Sequence, residues 1–566
     1  MKAKTLNLVT TMRISESVYS IFSRRLSSLP KLPRIPTKYK QRAIKEAQQA
    51  VTDYLHHTKF IPFAYADHIS RNSVYNLFSL ISNAVIAYKT SDFSKSIVRF
   101  LRYYPINEFE FFFESIGIHY SEVGKFLPAN KFFFSEDRSV LDAAGALSSF
   151  GFPWNMLGRL YKEEVLIFSK SCEDITSRLY GFKNDHGFSN VIVIGVCLAF
   201  PHVLLVDDDE LFDDLKRVFV DFDLVSWAEE NVDSWYELCR KIRLFYDLGC
   251  EKGKLGELLA ENKRILIDHS EEVLAQKLEY FCRFGVRKVD VALLLLKCPE
   301  ILSFDLETPV ISVEGLFSHF GLSTKEVKSI SEKYPYILGR NKMANLPHVM
   351  RAANLQDWFF DKIRNGNHQL LGNYALSNPD EDFNKEFRDG LERVQSSKLR
   401  LYTMNKLTFL HGIGYGENAL TMKVLAHLHG SCSELQDRFD CLLRCGIEFS
   451  KVCTMIRLSP KVLNQNPETI EQKVDFLCQH MGASLDYLDK FPTFLCFDLQ
   501  YRIKPRYKFH MWLIEKGLSS KNYSIGSMVA TSEKSFITRV YRIHPAAPKL
   551  WFECFLRKRP HNNSLK

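Results

Sequence analysis

Two consecutive segments of the chain repeat one another, and that repetition narrows the folds open to it. Gly285 leads the segment FGVRKVDVALLLLKCPEIL, and Gly321, thirty-six residues on, leads FGLSTKEVKSISEKYPYIL. In each, a Pro stands fourteen places after the Gly and begins a Pro-x-Ile-Leu tetrad, at residues 299–302 and 335–338. The same frame recurs at Gly446 with Pro460 and at Gly187 with Pro201. Copies without the proline start at Gly117, Gly151 and Gly249, one starts at Asn354, and Gly482 heads a shortened copy with Pro492 ten places on.

Chemistry assigns a structure to this frame. Apolar residues stand six and nine places after the leading residue (Val193 and Val196, Val291 and Leu294, Val327 and Ile330, Val452 and Met455), which is one face of a helix. The leading Gly suits the left-handed residue that ends a helix, and Asn is its usual substitute. The Pro suits a first helical turn, where its missing N–H costs nothing. Each unit therefore reads helix, turn, short helix, and units that cannot bury an apolar face alone stack side by side. The expected fold is all-α, an α-solenoid superhelix of helical repeats.

The glycine starts, the spacing and the Pro-x-[Ile/Val]-Leu tetrads resemble the mitochondrial transcription termination factor (mTERF) family, plant organellar type, from about residue 105 to 520. The resemblance implies a superhelix of mTERF-type repeats with a basic groove that holds nucleic acid, and a role in organellar transcription termination, transcript processing or splicing. Its implied partners are double-stranded DNA and/or RNA of the organelle, with organellar transcription or splicing proteins beside them.

The expected layout is a transit peptide (1–30), a linker and helical lead-in (31–104), a first block of repeats (105–364), an irregular spacer (365–400), a second block (401–520) and a basic tail (521–566). The first 45 residues hold eleven Lys or Arg against the single acid Glu16, and are rich in Ser and Thr, which is an organellar targeting pattern. Prominent arginine favours the mitochondrion over the chloroplast. From 501 to 566 there are fourteen basic residues against three acids, and because the whole chain carries only +9, the middle is net acidic. The longest apolar run, 191–206, is broken by Gly195, Pro201 and His202 and is too short to span a bilayer, so no membrane span is expected.

No catalytic motif stands out, whether Walker loop, H-E-x-x-H or G-x-S-x-G, and solenoids present long surfaces instead of closed pockets. The chain is read as a monomer that is not an enzyme and takes no cofactor. Cys441, Cys445 and Cys453 lack the C-x2-C pair and nearby His of a zinc site, and a metal is not expected. Pro379, Asp380 and Lys385 read as a solvated loop instead of a nuclease centre, HGIGYGE at 411–417 as a turn instead of a phosphate loop, and the acidic stretch 207–233 as a solvated face. An acidic patch that repels nucleic acid or holds a basic partner is the alternative for that stretch.

Phosphate neutralisation needs clustered Lys and Arg, and aromatic rings can stack on unpaired bases. Arg502, Lys504, Arg506 and Lys508 alternate with Tyr501, Tyr507 and Phe509, so these four cations and Tyr507 are candidate nucleic-acid contacts. Lys297, Arg340, Lys342, Arg457 and Lys461, with Lys333, lie near the tetrads and join them. A protein-binding scaffold in an organellar complex is the competing reading.

Overall fold

The computed structural model describes residues 32, 35–84, 93–221, 224, 230–262, 264–374, 384–519 and 523–555. The segment read as a transit peptide lies outside them, as do Pro379, Asp380 and the last residues 556–566. Among the described residues, helices are interrupted by a single two-stranded antiparallel ladder, Val310–Ser312 with Arg340–Lys342, which the repeat frame did not foretell. The chain forms two compact units, Met1–Glu271 and Glu272–Lys566.

Within each unit the helix, turn, short-helix frame is realised. Every leading glycine named above has positive φ, from +65° at Gly482 to +123° at Gly151, and Asn354 takes the same left-handed role at +54°. The tetrad Pro starts a tight 3-10 turn in Pro201–Leu204, Pro299–Ser303, Pro460–Asn464 and Pro492–Cys496, whereas Pro335 begins a plain turn. Val193, Val291, Leu294, Val452 and Met455 are fully buried, whereas Phe126, Leu258 and Ile330 at the same positions are only half-buried. Burying one such side chain stabilises by about 1.5–3 kcal/mol, so a unit's face is worth having only against a neighbour.

A second register holds the units closed. A Lys or Arg eight or nine places before the leading glycine reaches under the following short turn and donates to its carbonyls. Arg178 donates to Val203 O at 2.6 Å, Lys241 to Leu266 O at 2.9 Å and Lys277 to Phe304 O. Lys406 donates to Leu428 O at 2.9 Å, Arg438 to Leu463 O at 3.0 Å and Lys473 to Leu495 O at 2.8 Å. The last carbonyls of a short turn have no partner of their own, and a cation also favours the negative end of the turn's dipole. Lys473 is buried, and burial pushes its ammonium below its ordinary pKa. Lys473→Met is expected to leave Leu495 O without this donor and to lower stability by about 1–3 kcal/mol, read as a lower urea midpoint with an unchanged helical CD spectrum.

Three stretches depart from their expected form. The spacer contains a helix, Lys385–Gln395, capped by Asn384 and anchored by buried Phe387, with Lys385 as its first residue. The loop 411–417 is a turn as expected, yet Gly414 (φ +100°) heads a further unit between helices Arg400–Gly412 and Ala419–Leu425. The basic tail is folded: helices Ile525–Ala530, Glu533–Ile543 and Ala547–Leu550 pack a core of Phe509, Leu513, Phe536, Val540, Ala547 and Trp551.

Candidate nucleic-acid interface

The structure separates the candidate cations into those consumed by the fold and those left for a ligand. Arg506 is 2% exposed. Its guanidinium donates to the carbonyls of Met528, Val529 and Thr531 and to Glu533 Oε2 at 2.7 Å, while lying 4.5 Å from the centre of the Phe536 ring. Arg502 donates to Val529 O, Ala530 O and Thr531 O at 2.8, 3.2 and 2.9 Å, and burial, then its neighbour Arg506, lowers its pKa. Both are corrections to the reading of 502–508 as one phosphate-binding run: these two arginines tie down the short helix Ile525–Ala530. Tyr507 is likewise engaged, its hydroxyl donating to His480 O at 2.5 Å and its ring meeting Phe476 edge-on.

Arg340 is also withdrawn from solvent. On the ladder strand it pairs with Glu417 at 2.8 Å, both side chains mostly covered, and its carbonyl accepts from the Glu417 N–H. Arg457 is half-buried 6.0 Å from the Tyr336 ring centre, with its Nε buried and without a hydrogen-bond partner. Lys504 is half-buried with Nζ 5.7 Å from the Phe476 ring. Lys297, Lys342, Lys461 and Lys508 are exposed.

The exposed lysines follow a register of their own. Helices Lys288–Lys297, Thr324–Lys333 and Tyr487–Lys490 each end on an exposed Lys two places before the tetrad Pro. The corresponding helices of the first unit, Leu157–Glu163, Asn190–Ala199 and Leu255–Glu261, end on Glu163, Ala199 and Glu261, and Glu163 is paired with Arg243 at 2.6 Å. In stacked units equivalent positions form a row. The row carries Lys at these three places of the second unit, with the exposed Leu458 at the end of Phe449–Leu458 as the exception, and is acidic or apolar in the first. Lys490 escaped the sequence reading because its unit is shortened, although its place before Pro492 was a sufficient signal.

The acidic stretch is not only a solvated face. Asp214 is buried and accepts from Gly253 N at 2.7 Å, Gly256 N at 3.0 Å and Tyr246 Oη at 2.7 Å, and Asp208 accepts from Leu211 N and caps the helix Asp209–Lys216. Asp207, Asp209, Glu210 and Asp213 are exposed. Cys453 donates to Ile413 O and Cys441 to Pro467 O, each thiol in its own surroundings. Among the described residues no group of three or more His, Cys, Asp and Glu is placed to hold a metal ion, and no helix is long and apolar enough to cross a membrane.

The mTERF family pattern matches residues 226–355 and 404–537. Transcription termination factor MTEF18, mitochondrial, of Arabidopsis thaliana is 56% identical over 528 residues, covering 92% of this chain and 94% of that protein. Transcription termination factor MTERF8, chloroplastic, of the same plant is 27% identical over 246 residues, 43% of each chain. Its transcription termination factor MTERF15, mitochondrial, is 20% identical over 310 residues, covering 55% of this chain and 56% of that protein.

Proposed function

Because the chain belongs to the mTERF family, we propose that it is a mitochondrial nucleic-acid-binding protein that regulates gene expression, at transcription termination or another transcriptional or post-transcriptional step. The observation that carries the reading is the match along nearly its whole length to a mitochondrial transcription termination factor. The helix-ending row Lys297, Lys333 and Lys490 supports it, with Lys342, Lys461, Lys504, Lys508 and Arg457 as further phosphate contacts. Phosphates are bound by such solvated ammonium groups largely through counterion release, which serves any sequence and is weakened by salt. At a helix end the same charge is favoured by the dipole when no ligand is present.

The test is fluorescence anisotropy with a labelled mitochondrial DNA duplex and its RNA transcript, over a range of salt. Changing Lys297, Lys333 and Lys490 together to Ala is expected to weaken binding and to flatten the log–log salt slope by about 0.9 for each duplex phosphate no longer neutralised, with melting unchanged. An unaltered slope would remove the row from the interface. A second reading, a protein-binding scaffold in an organellar complex, is favoured by the exposed acids Asp207, Asp209, Glu210 and Asp213 of the first unit, and it requires that the wild-type chain bind neither probe.

A further inference from the structure

The first unit carries an aromatic and basic surface outside the residues matched by the family pattern, and its composition is unlike the other exposed apolar positions. Phe60, Phe63, Tyr103, Tyr104 and Phe132 are 79%, 55%, 73%, 64% and 54% exposed. They come from three separate stretches of chain that meet at Glu108. Glu108 Oε1 lies 3.2 Å from Lys59 Nζ, next to Phe60, and the Glu108 N–H donates to Phe132 O at 2.9 Å. Lys59 Nζ in turn sits 3.8 Å from the centre of the Phe133 ring. Tyr104 precedes Glu108 by four residues, a reach of at most about 14 Å.

Two features argue that these rings have a use. Phe60 is held in the left-handed region at φ +57°, a strained setting for an aromatic residue, and is at the same time turned into water. Strain and exposure coincide at that one residue. The other feature is the neighbouring helix Phe93–Tyr103, which contains no acid. It buries Phe93, Ile97 and Leu101, and on its outer side shows Lys95, Arg99 and Arg102 at helical spacing, leading directly into Tyr103 and Tyr104.

The charge tells which occupant fits. Exposed apolar residues elsewhere include many aliphatic ones, such as Val165, Leu166, Leu399, Leu401 and Leu458, which suit no planar ligand in particular. Here all five are rings beside a basic helix face. Flat rings accept unpaired bases on their faces whatever the sequence, and the adjacent arginines neutralise the phosphates between them. We propose that this surface, built on Phe60, Phe132, Tyr103, Tyr104, Arg99 and Arg102, binds unpaired nucleotides of a single strand, as a site separate from the lysine row of the second unit. The proposal rests on the reading of the chain as a nucleic-acid-binding protein and adds to it a class of ligand, strand that is not base-paired.

The experiment uses the full chain and fluorescence anisotropy with labelled oligouridine RNA, oligothymidine DNA and a DNA duplex. Phe60→Ala with Phe132→Ala is expected to weaken binding of the single strands by roughly tenfold or more, since each lost stacking ring carries an effect of that order. Duplex affinity is expected to stay as in the wild type. Phe60→Trp with Phe132→Trp is expected to restore single-strand binding, and the circular dichroism melt of both variants guards against a folding effect. Arg99→Ala with Arg102→Ala is expected to lower single-strand affinity and its salt dependence together. Preference of the wild type for oligouridine or oligothymidine identifies the strand as RNA or DNA, and binding of either supports the site. Duplex binding without single-strand binding overturns this site and leaves the general function standing, whereas loss of all nucleic-acid binding overturns both. Single-strand binding that ignores the aromatic changes assigns the rings to a protein partner and overturns the proposal.

Discussion

Replacing Arg506 by Ala is expected to destabilise the carboxyl-terminal end of the second unit by about 1–3 kcal/mol, the usual cost of removing a buried hydrogen-bonding partner, since Glu533 is half exposed and stays solvated. Glu533, the partner at 2.7 Å, also accepts from Trp551 Nε1 at 3.0 Å, so the carboxylate joins the arginine to the largest side chain of the local core. With the guanidinium gone, Met528 O loses this donor, and Val529 O and Thr531 O keep only the hydrogen bonds from Arg502. Limited proteolysis should then cut between residues 515 and 545, while the earlier repeats remain resistant. Arg506→Lys is expected to rescue little, because one ammonium cannot reproduce the planar fork that reaches both Thr531 and Glu533. Lys508→Ala, two residues on and exposed, is expected to leave melting unchanged. If Arg506→Ala melts like the wild type, this arginine does not hold the end together.

Gly416→Ala is expected to be among the most damaging methyl additions the chain can receive. A Cβ at that position would stand 2.0 Å from Leu338 O and 2.8 Å from Ile337 O, both backbone atoms that no rotamer change can move. The approach is close because the turn 411–417 lies along the tetrad of another unit: Gly416 N–H donates to Tyr336 O, and Asn418 Nδ2 donates to Tyr336 O and Leu338 O at 3.0 and 2.6 Å. Separating the two segments would break those bonds, so a cost above about 4 kcal/mol is expected, at the extreme of single substitutions. Gly482→Ala is the control. It has left-handed φ (+65°) but open space around its Cβ, and should cost about 1 kcal/mol from backbone strain alone. Comparable urea midpoints for the two variants would show that the close approach at Gly416 is not needed.

The frame of the fold was legible because its signals are local. A glycine that must take positive φ and a proline that must begin a turn depend on a few neighbouring residues, so Gly285 and Pro299 disclose their geometry without knowledge of what packs on them. The helices after residue 523 were not legible for the opposite reason. They carry no glycine and proline frame, and their signals, Ser524 and Ser532 as amino-terminal caps, are common in any polar segment. Charge misled at 502–508, since spacing along the sequence does not tell whether a guanidinium ends in water or under another helix. Alternation with aromatic residues fits phosphate binding and core packing equally. A cation eight or nine places before the leading glycine is buried at Lys241, Lys406 and Lys473, but that register does not reach Arg502 or Arg506, and no spacing marked those two as internal.

Positive side chains therefore serve two masters at different registers of one module, the inner ones binding carbonyls and the outer ones ending the helices Lys288–Lys297, Thr324–Lys333 and Tyr487–Lys490. Such a division lets descendants of the chain drift toward another target by exchanging residues 297, 333 and 490 while the inner set stays fixed. Divergence in what is bound and persistence of what is folded become nearly independent traits.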